Sequence, residues 1–150
     1  MEEGLGEIKT IAGVRDSFIC DHQGEVIACA VSSGLDTNAL RSICREVMLV
    51  MAALEITQEV VIELDFMYGK ARMIVRNLAN SVLIVLCEPQ IDIAMLRLTL
   101  DVVASKFKAD NKIQSRFAAG TVAKKLIEED VDETTRHLLE LLKKGRNHDA

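Results

Sequence analysis

Residues 47–54 read Val-Met-Leu-Val-Met-Ala-Ala-Leu. No other stretch restricts the fold as strongly. Asp36 is a good N-cap, and it predicts a helix from about Thr37 to Glu55. A surface helix needs a single apolar stripe. This one is apolar all round for two turns, so it must bury two sides. One side can cover a sheet, and the other needs a second partner. The first half of the same helix is mixed, with Asn38, Arg41, Ser42, Arg45 and Glu46 polar.

The segments around it have shorter periods. Leu5, Ile8, Ile11 and Ala12 have helical spacing between Gly4 and Val14, where Gly13 can end the helix. Residues 16–21 change to a strand pattern. Asp21-His22-Gln23-Gly24 is a hairpin turn, with Gly24 in the left-handed position, and Glu25 to Val31 returns. A simple register would set Phe18 and Cys20 on one face with Val26 and Ala28, and Ile19 on the other with Ile27 and Cys29. Both faces are apolar, which predicts a sheet covered on both sides.

Glu59 to Phe66 and Lys70 to Arg76 form a second predicted hairpin around Tyr68-Gly69, in which Asp65 falls near Arg72. Val82 to Cys87 is continuously apolar and reads as a central strand that Pro89 closes. From Ile91 to Lys108, the positions Ile91, Met95, Leu98, Val102 and Phe107 have helical spacing. The order helix, strand, strand, long helix, three strands, helix predicts an α+β fold with an antiparallel sheet between helical layers. Beyond Asp110, residues 130–144 form a further amphipathic segment. Val131, Thr135, Leu138, Leu139 and Leu142 share one face, and Gly145 caps it.

Composition excludes several functions. Aromatics are 3% with no Trp, so the core is aliphatic and base stacking has few platforms. The net charge of −5 and the lack of a basic run argue against nucleic acid. No run of about 18 apolar residues is present, so no membrane span is expected. The acidic start Met1-Glu2-Glu3 reads as no signal peptide, and a cytoplasmic location is expected. Cys20, Cys29, Cys44 and Cys87 form no CxxC and lie in apolar runs, so buried reduced thiols are expected. His22, His137 and His148 are isolated, and no metal or cofactor is expected. Gly4-Leu5-Gly6 lacks the third glycine and preceding strand of a dinucleotide fingerprint, and GxxxxGK[ST] is missing. Ser32 and Ser33 have no His placed to serve them, and a loop explains both. No catalytic residue is therefore expected.

Two groups of residues, Ile11-Ala12-Gly13-Val14 and the hairpin Phe18 to Ala28, resemble a Roadblock/dynein light-chain domain. The long apolar helix, Tyr68-Gly69-Lys70 and Val82 to Leu86 follow in that family's order, over about Leu5 to Lys108. The resemblance implies a five-stranded antiparallel sheet in the order 2-1-5-4-3. The long helix would lie on one face and the first and last helices on the other, as in profilin- and longin-like domains. The Roadblock-like domain would span 1–110 and a C-terminal helical extension 111–150. The extension looks like the C-terminal segment of bacterial gliding-motility GTPase regulators.

The resemblance also implies a homodimer, with long helices side by side and third strands edge to edge. Its interface would hold Val47, Met48, Val50, Met51, Leu54, Val61 and Glu63. Family members bind Ras-like small GTPases as scaffolds or activating proteins. The implied partner surfaces are Asn38, Arg41, Ser42 and Arg45 on the long helix, and Leu138, Leu139 and Leu142 in the tail. Arg41 and Arg45 are the only arginines on the long helix, and the resemblance implies no arginine finger. The competing function is a structural or sensor dimer without a GTPase. A sensor needs convergent polar groups around a cavity, which this aliphatic core lacks.

Overall fold

A computed structural model describes residues 1–109 of the 150. The order is α1 (Glu2–Lys9), β1 (Val14–Asp21), β2 (Val26–Ala30), α2 (Thr37–Ile56), β3 (Glu63–Tyr68), β4 (Ala71–Asn77), β5 (Ser81–Cys87) and α3 (Ile93–Ala109). The strands form one sheet in the order β2-β1-β5-β4-β3, and every neighbouring pair is antiparallel. The architecture is the expected one. The predicted extension 111–150, with Leu138, Leu139 and Leu142, lies outside the described residues.

β5 is the central strand, and its side chains alternate between the two faces. Leu83, Val85 and Cys87 join Ile19 and Ile74 under α1 and α3. Val82 and Ile84 join Phe18, Cys20, Met73 and Val75 under α2. Each fully buried Leu, Ile or Phe contributes about 1.5–3 kcal/mol, so these two layers dominate stability. Gly4 lets α1 approach α3, because a Cβ there would meet the Phe107 ring at 2.8 Å.

Several expectations shift. α1 ends at Lys9 rather than near Gly13, and Ile11 is buried from the loop that follows. The first hairpin contains a bulge. Ile19 faces Ala28 while Cys20 faces Val26, which leaves Ile27 as the extra residue. A one-residue slip exchanges faces. Beyond the bulge, Ala28 therefore pairs with Ile19 and Cys29 with Phe18, the reverse of the simple register. Cys29 is exposed on the edge strand, whereas Cys20, Cys44 and Cys87 are buried. All four are unpaired. A hydrogen bond with Cys44 and burial push the Cys20 thiol well above its ordinary range, so it stays protonated.

β3 begins at Glu63, later than expected, and the residues before it stay partly tied to the sheet. The Asn77 N–H donates to the Ile62 carbonyl at 2.9 Å, and Asn77 Nδ2 to the Val61 carbonyl at 3.0 Å. In α3 the inward stripe is Leu96, Leu100, Val103, Ala104 and Phe107. Met95, Leu98 and Val102, whose spacing marked the helix in the sequence, lie outside this stripe and are exposed. Two apolar stripes run along this helix, and the i, i+3, i+7 spacing fits both.

Candidate functional site

The Asp36 side chain caps α2 by accepting from the Ala39 N–H at 2.7 Å. From there the helix presents three stripes. Leu40, Cys44, Val47, Met48, Met51 and Ala52 are buried against the sheet. Met48 and Met51, expected at a dimer interface, are taken up by the protomer's own core, as is Val47. Val50 remains exposed, Leu54 is half-buried, and both lie on the next stripe. The third stripe is Asn38, Arg41, Ser42 and Arg45, all exposed.

The polar stripe leans on the β1–β2 hairpin. Asp21 sets that turn: its Oδ1 accepts from the Gln23 and Glu25 N–H groups, each at 2.9 Å. Gly24 has φ +77° and sits against the α2 backbone, since a Cβ would lie 3.3 Å from Arg45 Cα. A side chain there would be strained by the backbone conformation and would crowd Arg45. Arg41 reaches Glu25 at 3.1 Å, with both side chains about half exposed. Such a pair contributes roughly 0–1 kcal/mol and leaves Arg41 available to a partner.

The opposite flank of α2 is an open groove of about 370 Å³. Ile43, Glu46, Val47 and Val50 form one wall, and Phe66, Tyr68, Ala71 and Met73 form the other. The Phe66 and Tyr68 rings stack at 6.2 Å. Tyr68 is also exposed, as are Val60 (89%) and Ile62 (63%) along the nearby sheet edge. Val61 is half-buried and packs on the α2 side. The groove wall follows from the alternation of β3. Leu64, Phe66 and Tyr68 face α2, while Glu63 and Asp65 face the α3 side. Sequence reasoning did not single out Phe66, Tyr68 and Met73. The period-2 alternation of 64, 66 and 68 was the available signal.

The other face of β3 carries charge. Arg72 binds Asp65 through Nε at 2.9 Å and Nη2 at 2.6 Å, the expected pairing. It is diagonal, because Arg72 lies opposite Met67. Arg97 reaches Glu63 at 2.8 Å and Asp65 at 3.8 Å, and Arg76 binds Glu63 at 2.8 Å and Asp101 at 2.7 Å. Glu63, expected at a dimer interface, is therefore held by two arginines of its own chain. The Arg72 guanidinium holds Asp65 below the usual carboxylate range. This network ties the edge strand to α3 and stiffens the groove's far wall.

Ser32 and Ser33 belong to a buried carboxylate. Asp16 is 1% exposed and accepts from the Ser32 N–H at 2.8 Å, the Ser33 N–H at 3.0 Å and the Ser33 hydroxyl. Burial pushes its pKa up. The hydrogen bonds from Ser33 and Ser32, with the positive Lys9, outweigh that and hold it below the usual range. The arrangement fixes the loop that leads into α2. Among the described residues no cluster of His, Cys, Asp or Glu could hold a metal ion, and no helix is long and apolar enough to cross a membrane.

No family model matches the sequence, and a search of curated proteins finds no match. Solved structures do match. A Roadblock/LC7 domain from Streptomyces avermitilis superposes with TM-score 0.62 at 13% identity, covering 72% of this chain and 94% of that one. MglB from Myxococcus xanthus superposes with TM-score 0.61 at 16% identity, over 77% of this chain and 91% of its own. An MglB described as a tetrameric arrangement gives 0.64 at 16% identity, over 76% and 87%. The five-stranded fold derived above is thus the Roadblock/LC7 fold.

Proposed function

We propose that this Roadblock-fold chain is a homodimeric regulator or scaffold for a Ras-like small GTPase. The carrying observation is the groove beside α2, which is apolar and open, together with the exposed Val60 and Ile62 that lead into the edge strand β3. Exposed edge strands invite pairing, and an exposed Val50 beside them extends the apolar surface. A second copy would cover Val50, Leu54, Val61 and the groove's aromatic wall. The polar stripe Asn38, Arg41, Ser42 and Arg45 would then flank the paired helices as the GTPase surface. The likeness to MglB, in one case tetrameric, supports self-association. The GTPase reading rests on the resemblance of the residues to the Roadblock family.

The chain itself supplies no catalytic group in this reading, and it acts in the cytoplasm. Any faster hydrolysis would come from ordering the GTPase's own switch loops and catalytic residues. A small-molecule sensor is less well supported. The groove has ligand-pocket volume, but only Glu46, Tyr68 and Arg72 among its lining residues carry polar side chains. Arg72 is already committed to Asp65. The test is capture of Ras-like GTPases loaded with GDP or a non-hydrolysable GTP analogue, followed by a hydrolysis assay. Nucleotide-dependent capture that Arg41→Glu with Arg45→Glu abolishes is expected. Equal capture by both proteins would contradict the assigned surface.

A further inference from the structure

Arg41 and Glu25 form an open pair. A single guanidinium nitrogen is engaged: Arg41 Nη2 donates to Glu25 Oε2 at 3.1 Å, and both side chains stay about half exposed. The other arginines of the sheet are closed off by comparison. Arg72 grips both oxygens of Asp65, at 2.9 and 2.6 Å, and its side chain is only 15% exposed. Arg76 is held between Glu63 and Asp101 at 12% exposure. A guanidinium carries five N–H donors in a fork that fits a carboxylate through two parallel bonds. Among the described residues Glu25 is the one side chain that Arg41 holds, and it takes one donor.

The hairpin fixes Glu25 by its backbone. The Glu25 N–H donates to Asp21 Oδ1 at 2.9 Å, and the Asp21 N–H donates to the Glu25 carbonyl at 3.0 Å. The turn also lies directly on α2, since a Cβ on Gly24 would come within 3.0 Å of Arg45 Cγ. Turn and helix together set Glu25 within reach of Arg41 and leave its carboxylate able to swing aside. An exposed pair of this kind shifts an equilibrium by no more than about fivefold, so it is readily given up.

The surroundings of Arg41 suit an anion. Asn38 and Ser42 share its exposed stripe, and both can donate a hydrogen bond. The first turn of α2 holds no acidic residue. The chain as a whole carries −5, so this cationic stripe runs against its overall charge. We infer that Glu25 is a placeholder for a carboxylate of the partner protein, which takes over Arg41 through two parallel hydrogen bonds and releases the Glu25 side chain. The partner surface is then acidic where it meets Arg41. Glu25 repels an acidic group that misses Arg41, which adds register to the contact. This inference rests on the reading of the α2 stripe as the GTPase surface.

The test is the dissociation constant of a Ras-like GTPase loaded with a non-hydrolysable GTP analogue, measured by titration calorimetry against the full-length protein. Four forms are compared: wild type, Glu25→Gln, Arg41→Gln and the double variant. Glu25→Gln should bind about two- to fivefold more tightly, because the competing pair is gone from the free state. Arg41→Gln should bind at least about tenfold more weakly, because a charge-assisted contact is lost. In the Arg41→Gln background, the gain from Glu25→Gln should vanish. Glu25→Gln that binds no more tightly than wild type would overturn the inference. An equal gain with and without Arg41 would overturn it too, since Glu25 would then act through general repulsion. In both of these outcomes the GTPase still binds, and the reading of the stripe survives. If no form binds a GTPase, that reading fails and the inference fails with it.

Discussion

α2 and α3 cover opposite faces of one sheet, and each carries apolar residues on two sides. In α2 the two stripes are adjacent. Leu40, Cys44, Val47, Met48 and Met51 face the sheet, and Ile43 and Val50 turn toward β3 and β4. The outer stripe therefore meets a strand wall and forms a groove. In α3 the stripes are opposed, so Met95, Leu98 and Val102 stay about half or more exposed. Both helices bury a full core stripe, and they differ in what is left over. Adjacent stripes build a concave site between elements, and opposed stripes leave a convex apolar face.

The largest expected effects come from the inner stripes. Leu100→Ala and Met51→Ala, at positions 0% and 5% exposed, should each lower the unfolding free energy by about 2–5 kcal/mol in chemical denaturation. If either costs less than about 1 kcal/mol, the division into inner and outer stripes is wrong. The outer positions should behave differently. Val50→Ala should change the stability of the single protomer by no more than about 0.5 kcal/mol, measured at a dilution where the protein is monomeric.

A middle-sized effect separates the two ends of α2. Asp16 holds the loop before this helix, and its folded pKa is lowered. Such a group stabilises the fold above its unfolded value of about 3.9. The contribution is lost as pH falls through the lower folded value. Asp16→Asn should therefore cost most stability above pH ~5, and the gap to wild type should close on acidification. A gap that widens toward low pH would contradict the assignment. Asp65→Asn should have the smallest effect, up to about 1 kcal/mol, because Arg97 and Arg76 keep Glu63. Thermal melts in low and high salt would check this, with the difference shrinking in salt.

The fold was readable wherever one pattern admitted one reading. The N-cap at Asp36, the turn at Asp21–Gly24 and the central strand Val82–Cys87 follow from local chemistry, and the structure keeps them. Reading failed where periodicity is degenerate. The spacing of Met95, Leu98 and Val102 is as helical as that of Leu96, Leu100 and Val103, and nothing local says which faces inward. The bulge at Ile27 carries no glycine or proline to mark it, so the register of Ala28 and Cys29 was reversed. The groove was half readable. Its helical wall follows from the all-apolar turns of α2. Its strand wall depends on β3 folding back beside them, which is a tertiary fact. Glu63 was placed at an interface by the family resemblance, and its pairing with Arg76 and Arg97, which joins β3 to β4 and α3, is a long-range contact that no local pattern marks.

The most direct test of the central claim is the solution mass of the wild type and of Val50→Glu, measured by light scattering at micromolar concentration. The account predicts twice 16.6 kDa for the wild type and a folded 16.6 kDa protomer for the variant. A monomeric wild type, or a Val50→Glu protein that remains dimeric, would contradict it.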